Sequence, residues 1–541
     1  MTSRPRPAQR LDAPRWVNDL SSVGGTETSA RRDRLRAVEA ALELFDRDGY
    51  DRTRLEDVAS GAGLEVGLVC RLFPTKEHLA LAIYGQLAEA LGEAVVELEP
   101  GSMAERFAAI MDRKLRLLEP HRRALVALAG TALDPEARSG VLGQAAEPIR
   151  SRVTGVFAAV VRGADDAPAD PARLTRMLYA AHLGLILLWT QTDDTEAVAR
   201  LALDVGRWLP MVATMAPPDM VARLEGLVGE RLPDHHGDDE ATARVILERI
   251  FRRRRVHADV GEAPSDAAFA MHQPRVAAFL RLQTRLELVL PAFPAKAPNP
   301  DKVLGPRPDA AERLALEGLR GLLDELEEAH APGTELVICS DGTVFADLVG
   351  VSDEDVARYR ADLEEMLAEM DERRIRLFDL SDAFGDLGPE AGRQHLLARY
   401  AKPVDQIRER AKRSEMHRRQ LDGIHRFLVE DELAKHDDRS KSAIRKQTRA
   451  RAYEVVRRSD AWGALVAVAF PAALRLSIHP QPDVSSKIGL HLLATEDAWL
   501  TPWHGCAVLK GERFELAKRA TFPDAEVVEE RGRPSYLEVP G

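Results

Sequence analysis

Four polar residues close short apolar runs in the second half of this 541-residue chain, and between them they could move protons and polarise a carbonyl. Lys296 follows Leu286–Leu290 through a proline-rich turn, Ser340-Asp341 follow Glu335–Cys339, Asp379 follows Ile375–Phe378, and His479 follows Leu474–Ile478. An imidazole with an ordinary pKa of about 6.5 exchanges protons at neutral pH, and a carboxyl group can accept or deliver one. Read singly, each has a plain structural alternative. Asp341-Gly342 is a common turn pair, His479 could be a hydrogen-bonded core histidine, and Lys296 could only solvate its loop.

The elements around them decide how they meet. Val-, Ile- and Leu-rich runs alternate with helical patterns over Ala310–Ala329, Asp353–Met370 and the long stretch Gly388–Val468, the βαβ rhythm of an α/β domain. Parallel strands bind ligands outside their carboxyl ends, which would gather Lys296, Asp341, Asp379 and His479 at one crevice. Two later runs, Gly489–Leu493 and Trp499–Leu509, read as antiparallel strands, the second carrying Thr501-Pro502-Trp503-His504-Gly505. Between Arg399 and Arg458 stand 18 Lys/Arg against 10 Asp/Glu, a local +8 in a chain of net charge −12. Such a segment is either a solvated helical face, a nucleic-acid patch, or a funnel for a phosphorylated small molecule. A haloacid-dehalogenase phosphatase is excluded, because Cys339 stands where its nucleophilic aspartate must be. Walker, Rossmann-glycine, Gly-x-Ser-x-Gly and His-Glu-x-x-His motifs are absent, so neither a redox cofactor nor a metal is expected.

Residues 31 to 232 carry only helical patterns. Leu35, Val38, Ala41, Leu42 and Phe45 share a helix face that Gly49 ends, and Thr53 with Glu56 suggests a capping box. Gly61-Ala62-Gly63 turns into a second short helix, Leu64–Leu72, and Thr75 can cap a longer one through Leu91. That is a helix-turn-helix, with Arg52, Arg54, Arg71 and Lys76 as candidate phosphate contacts. Yet Arg31 to Glu77 holds nine basic and ten acidic side chains, and Glu65, Val66 and Cys70 occupy the reading face. Specific DNA binding and a purely scaffolding or dimerising unit both stay open. Met177–Trp189 reads as a buried or dimer-interface helix. At 13 residues it is too short for the ~20 of a membrane span. Three cysteines and no secretory leader point to a reducing, cytoplasmic home. His235-His236 lie in a polar linker with no third ligand nearby.

Two family resemblances follow. Ala40-Ala41-Leu42-Glu43-Leu44-Phe45, Leu55-Glu56-Asp57-Val58-Ala59 and Arg71-Leu72-Phe73-Pro74-Thr75-Lys76-Glu77 resemble the TetR family of dimeric repressors. Val289-Leu290-Pro291-Ala292-Phe293-Pro294-Ala295-Lys296, Ile338-Cys339-Ser340-Asp341-Gly342-Thr343, Gly423-Ile424-His425-Arg426-Phe427, Arg475-Leu476-Ser477-Ile478-His479-Pro480-Gln481 and Thr501-Pro502-Trp503-His504-Gly505 resemble the isonitrile (isocyanide) synthases of the pyoverdine/dityrosine biosynthesis family. The expected organisation is a tail (1–29), a helix-turn-helix (30–80), an all-helical regulatory or dimerising domain (81–232), a linker (233–242) and an α/β, Rossmann-like enzyme domain with a mostly parallel sheet (243–541). The second resemblance implies condensation of L-tyrosine or L-tryptophan with ribulose 5-phosphate, whose C2 becomes the isonitrile carbon, without a cofactor. A yeast branch of the family forms an N-formyl product instead. Under it His479 and Asp341 are general acid/base candidates, and Lys296 polarises the ketone or protonates a leaving hydroxyl. Ser340, Arg445, Arg457 and Lys487 are candidates for substrate or phosphate binding, while Trp503 and His504 shape the amino-acid side. The chain is expected to form a homodimer, and residues 243–541 are expected to carry the activity. The alternative is a TetR-type regulator whose α/β half senses an amino acid or a sugar phosphate.

Overall fold

The computed structural model describes residues 27–539 apart from 123–125, 127–145, 169, 193, 216–236, 262, 386, 436–438 and 498. The expected tail therefore falls outside the described residues up to position 26, and Glu27 to Ser29 already belong to a helix. The first unit contains α1 (Glu27–Asp48), α2 (Leu55–Ala62), α3 (Val66–Leu72), α4 (Lys76–Ala94), α5 (Met103–Leu118), α6 (Glu147–Arg162), α7 (Pro171–Thr190) and α8 (Thr195–Met215). Gly63 ends α2 at φ 62°, where its amide bonds back to Ser60, so the turn needs glycine. The N-cap is Arg54 rather than Thr53, so only the backbone half of a capping box forms. The Arg54 amide donates to Asp57 Oδ2 (2.9 Å), while Thr53 Oγ1 turns back to the Gly49 carbonyl (3.0 Å).

The second unit begins with α9 (Gly237–Phe251) and α10 (Asp266–Leu282). The proposed linker is thus helical from Gly237, and His235-His236 lie outside the described residues. Next come β1 (Leu286–Leu290), α11 (Ala310–Glu327), β2 (Thr334–Cys339), α12 (Gly342–Val349), α13 (Asp353–Glu369), β3 (Ile375–Phe378) and α14 (Leu380–Phe384). The expected long helical stretch resolves into α15 (Pro389–Tyr400), α16 (Val404–Arg413), α17 (Glu415–Leu433) and α18 (Lys441–Ala469). β4 (Leu474–Ser477) and β5 (Ile488–Gly489) complete a five-stranded, all-parallel sheet ordered β3-β2-β1-β4-β5. β5 runs parallel to β4, correcting the antiparallel expectation for Gly489–Leu493. The stretch from Trp499 divides into a short 3-10 turn at Pro502–His504 and β6 (Cys506–Lys510). β6 pairs with β7 (Arg513–Ala517) and β9 (Arg533–Glu538), and β8 (Glu526–Glu530) flanks β9 in a small second sheet.

Strand alternation sends the two faces of the main sheet into different cores. Leu286, Leu288, Leu290, Leu336 and Ile338 pack with α9, α10, α11 and α13. Val289, Val337 and Cys339 face the other way, against Trp462, Leu465 and Val466 of α18. That same cluster continues without a break into Leu35, Val38 and Ala41 of α1 and Val58 of α2. The two units therefore share a hydrophobic core. At a second crossing, Gly155 of α6 comes so near α10 that a Cβ there would lie 2.2 Å from the Met271 carbonyl. Polar contacts reinforce the seam: Arg31 donates to the Ala469 carbonyl (2.9 Å), Arg281 pairs with Glu147 (2.6 Å), and His395 and Tyr400 reach Glu39.

Helix α4 with its following turn, Lys76–Glu97, is the one described helix long and apolar enough to cross a membrane by length and composition. Here it is sandwiched between the units, carrying the buried Glu89.

Candidate active site

Strand order reverses between β1 and β4, with β2 and β3 on one side and β5 on the other. A crevice opens there at the strands' carboxyl ends. The loops after β1, β2 and β4 meet in it. Gly342 is required: a Cβ would sit 2.0 Å from the Pro294 carbonyl, so only glycine lets the β2 and β1 loops touch. Arg255, buried before α10, ties two more loops together by donating to the carbonyls of Ile478 (2.6 Å) and Leu500 (2.8 Å).

Two cavities share this crevice. The first is largely apolar, walled by Phe345, Val349, Ile424, Phe427, Trp499 and Trp503. Gly423 makes room for Trp499, since a Cβ would lie 2.8 Å from its ring. The second is polar, with Lys402, Arg410, Arg475, Gln481, Ser485 and Lys487 among its walls, and Gln86, Glu89 and Glu93 of α4 facing them from the first unit. Asp341, Ser459, Ile478, His479 and Trp499 line both.

The two candidate proton carriers stand at this junction. His479 Nδ1 is buried and lacks a hydrogen-bond partner, and its ring lies 5.6 Å from that of Trp499. Burial, helped by the Arg255 and Lys487 charges, pulls its pKa down to about 4, so the imidazole is neutral at pH 7. Burial pushes the Asp341 carboxyl up to about 7, against a backbone hydrogen bond that favours the anion. His504 stacks on Phe427 with ring centroids 5.0 Å apart, and its Nδ1 lies 3.0 Å from Thr501 Oγ1. Burial and then the Lys302 charge hold it well below the ordinary histidine range. Trp503 packs its ring on Phe293 at 5.2 Å.

Over 296 residues the chain is 40% identical to L-tryptophan isonitrile synthase AmbI1 of Fischerella ambigua, covering 54% of this chain and 93% of that one. The chain belongs to the pyoverdine/dityrosine biosynthesis family. The family's pattern matches residues 276–529. An L-tyrosine isonitrile synthase of Pseudomonas aeruginosa is 43% identical over 313 residues, 56% of this chain and 95% of its own. The crystal structure of the PvcA protein from the same organism superposes with a TM-score of 0.53 at 41% identity, over 55% of this chain and 99% of that one. Residues 37–83 match the bacterial regulatory proteins of the tetR family, so the family's α/β domain is preceded here by a TetR-like unit.

Several sequence candidates have other duties in this family member. Lys296 Nζ is fully buried between Asp309 Oδ2 and Glu312 Oε2, both at 2.9 Å, and also donates to the carbonyls of Pro502 (3.0 Å) and Gly505 (3.2 Å). Burial disfavours its charge, but the two carboxylates outweigh that and raise its pKa. Lys296 lines the apolar cavity, but its ammonium is already engaged by these four oxygens and fixes the Pro502–Gly505 turn to the β1 loop. Ser340 Oγ donates to the Phe293 carbonyl (2.9 Å) and lines neither cavity. Asp379 caps its own helix through the Ser381 amide (2.7 Å) and pairs with Arg360, so it does not join the crevice. Arg445 is exposed on α18, and Arg457 is tied to Glu454 (3.2 Å) and the Lys402 carbonyl (3.0 Å); neither reaches the polar cavity. Lys487 does.

Sequence patterns do not single out Arg475, Lys402, Arg410 and Trp499, which line the polar cavity, or Arg255, which ties its loops. Arg475 and Gln481 flank His479 in a recognised motif, but an arginine inside an apolar strand gives no sign of which face it takes. On the helix-turn-helix, Arg52, Arg54 and Arg71 are exposed, whereas Lys76 donates to the Tyr50 carbonyl (2.7 Å) and covers its ring. The one group of three described carboxylates close enough for a metal, Glu27, Glu287 and Glu335, lies on the seam and is already paired with Arg31 and Arg376.

Proposed function

We propose that the chain is an isonitrile synthase acting on the α-amine of L-tyrosine or L-tryptophan with ribulose 5-phosphate as carbon donor. The observation that carries this is the pair of cavities meeting at His479 and Asp341. The apolar one suits an aromatic side chain. The polar one, with Arg475, Lys487, Lys402 and Arg410, suits a sugar phosphate. The amine attacks the C2 ketone, and neutral His479 takes the proton the nitrogen sheds. Asp341, protonated in good part at neutral pH, delivers one to the C2 hydroxyl, which leaves as water and gives the imine. The C1–C2 and C2–C3 bonds then break: C1 leaves as formaldehyde, C3–C5 leave as a three-carbon hydroxyketone with expulsion of inorganic phosphate, and C2 stays on nitrogen, so the sequence balances without an outside oxidant. Incubating the protein with either amino acid and donor labelled at C2 tests the reading: labelled isonitrile is expected, and labelled N-formyl amino acid or no labelled product refutes it.

For the TetR-like unit we infer a scaffold that forms a homodimer. Leu188 of α7 and Leu201, Trp208, Met211 and Val212 of α8 leave a broad apolar face exposed, as a self-complementary contact requires. Sedimentation should show a dimer that Trp208→Glu converts to monomer; a monomeric wild type overturns it.

A further inference from the structure

Where α4 meets the polar cavity, charges of opposite sign are spread unevenly. One buried carboxylate, Glu89, faces three buried guanidinium groups: Arg152 at 3.1 Å, Arg475 at 3.5 Å and Arg275 at 3.8 Å. Three cations against one anion leave this corner positive. One turn further along the same face of α4, Glu93 lies 2.9 Å from Lys487 Nζ. Unlike the Glu89 cluster, this pair is open to the cavity, with side chains 49% and 30% exposed. Gly92 seats the helix tightly here, since a Cβ would come within 3.3 Å of Ser486.

We propose that this corner of the seam is a phosphate site and that Glu93 of the TetR-like unit is its gate. An incoming phosphate takes Lys487 and Arg475 by displacing Glu93. The proposal rests on the sugar-phosphate reading above. An exposed ion pair is weak, holding an equilibrium by about two- to fivefold, so a dianion can break it. Glu89 stays, because removing it would strand three buried arginines. Glu93 lies on the helix that directly follows α3, so phosphate occupancy and the seating of the fused unit are thermodynamically linked, each changing the other by the same factor.

The test uses the full-length protein and two readouts: calorimetric titration with inorganic phosphate, and the KM for ribulose 5-phosphate. Glu93→Gln should tighten phosphate binding and lower the donor KM, each by roughly two- to fivefold at low salt. The gain should vanish at about 1 M salt, where screening is nearly complete. Glu93→Asp, which keeps the charge on a shorter arm, should fall between wild type and Glu93→Gln, and Lys487→Gln should weaken phosphate in either background. Unchanged or weaker phosphate binding by Glu93→Gln overturns the gate, whatever the catalysis. Tighter phosphate binding in a protein that makes no isonitrile would keep the gate and refute the synthase reading instead.

Discussion

The apolar cavity is built wholly within the α/β unit, from loops after β1, β2 and β4 and from α17 and α18, whereas one side of the polar cavity is closed by a helix from the TetR-like unit. The first is a property of one fold; the second takes one wall from its neighbour. Under the proposed function, the amino-acid side is internal to the α/β domain, and the sugar-phosphate side is the one that α4 can influence.

Breaking the wall between the cavities should have the largest effect. His479→Gln is expected to melt close to wild type yet lose on the order of 10²–10⁴-fold in turnover with both substrates saturating. A folded variant with near wild-type turnover would remove His479 and shift the role to Asp341 or His504. Next comes a loss of stability rather than chemistry. Lys296→Met strands Asp309 and Glu312 in the interior and should cost roughly 3–5 kcal/mol in urea unfolding. A stable but inactive Lys296→Met would restore the lysine to the mechanism.

The pH profile separates the two proton carriers. Asp341 must be protonated to act as an acid, so kcat/KM, which reports the free enzyme, should fall tenfold per unit above about pH 7. His479 must be neutral to act as a base, which places the acid limb near its pKa of about 4. Asp341→Asn should abolish the alkaline limb, and an unchanged profile would assign it elsewhere. The smallest effects sharpen the contrast between cavities. Phe345→Ala, in the apolar cavity alone, should raise the amino-acid KM by roughly two- to tenfold, the worth of an aromatic contact, and Lys487→Gln should raise only the donor KM. Crossed effects would mean the cavities were assigned the wrong way round.

The strand-end rule located the crevice because strand patterns are local: four of the five parallel strands, and Asp341 and His479 beyond them, are legible from runs of Val, Ile and Leu. The rule could not say which polar end-residues remain available. Asp379 and Ser340 look like site groups until the nearby amides and carbonyls that engage them are seen. Lys296 looks free because its partners, Asp309 and Glu312, come from the start of α11, where a capping pattern hides two buried carboxylates. Charge counting over residues 399–458 singles out a stretch that does border the polar cavity, but not through the arginines it names. Arg445 and Arg457 lie on other faces of α18, while Lys402 and Arg410 in the same stretch do reach the cavity. Least legible was the seam. Glu89 in an apolar helix reads as an exposed residue, and nothing local to α4 says that three distant arginines converge on it.

The seam makes residues 243–541 an informative fragment: it would bare the face of the sheet and α18 that α1 and α2 cover, so its solubility and turnover measure what that cover contributes.

The contact between Arg31 and the Ala469 carbonyl spans 438 positions of chain. At roughly 5–20 residues per second, a ribosome needs about 20–90 s to make what lies between. Throughout that interval the helix-turn-helix is out of the tunnel with Leu35, Val38 and Ala41 awaiting a partner not yet synthesised. A unit made early is completed late, and the apolar face of α1 must stay accessible until the α18 segment emerges.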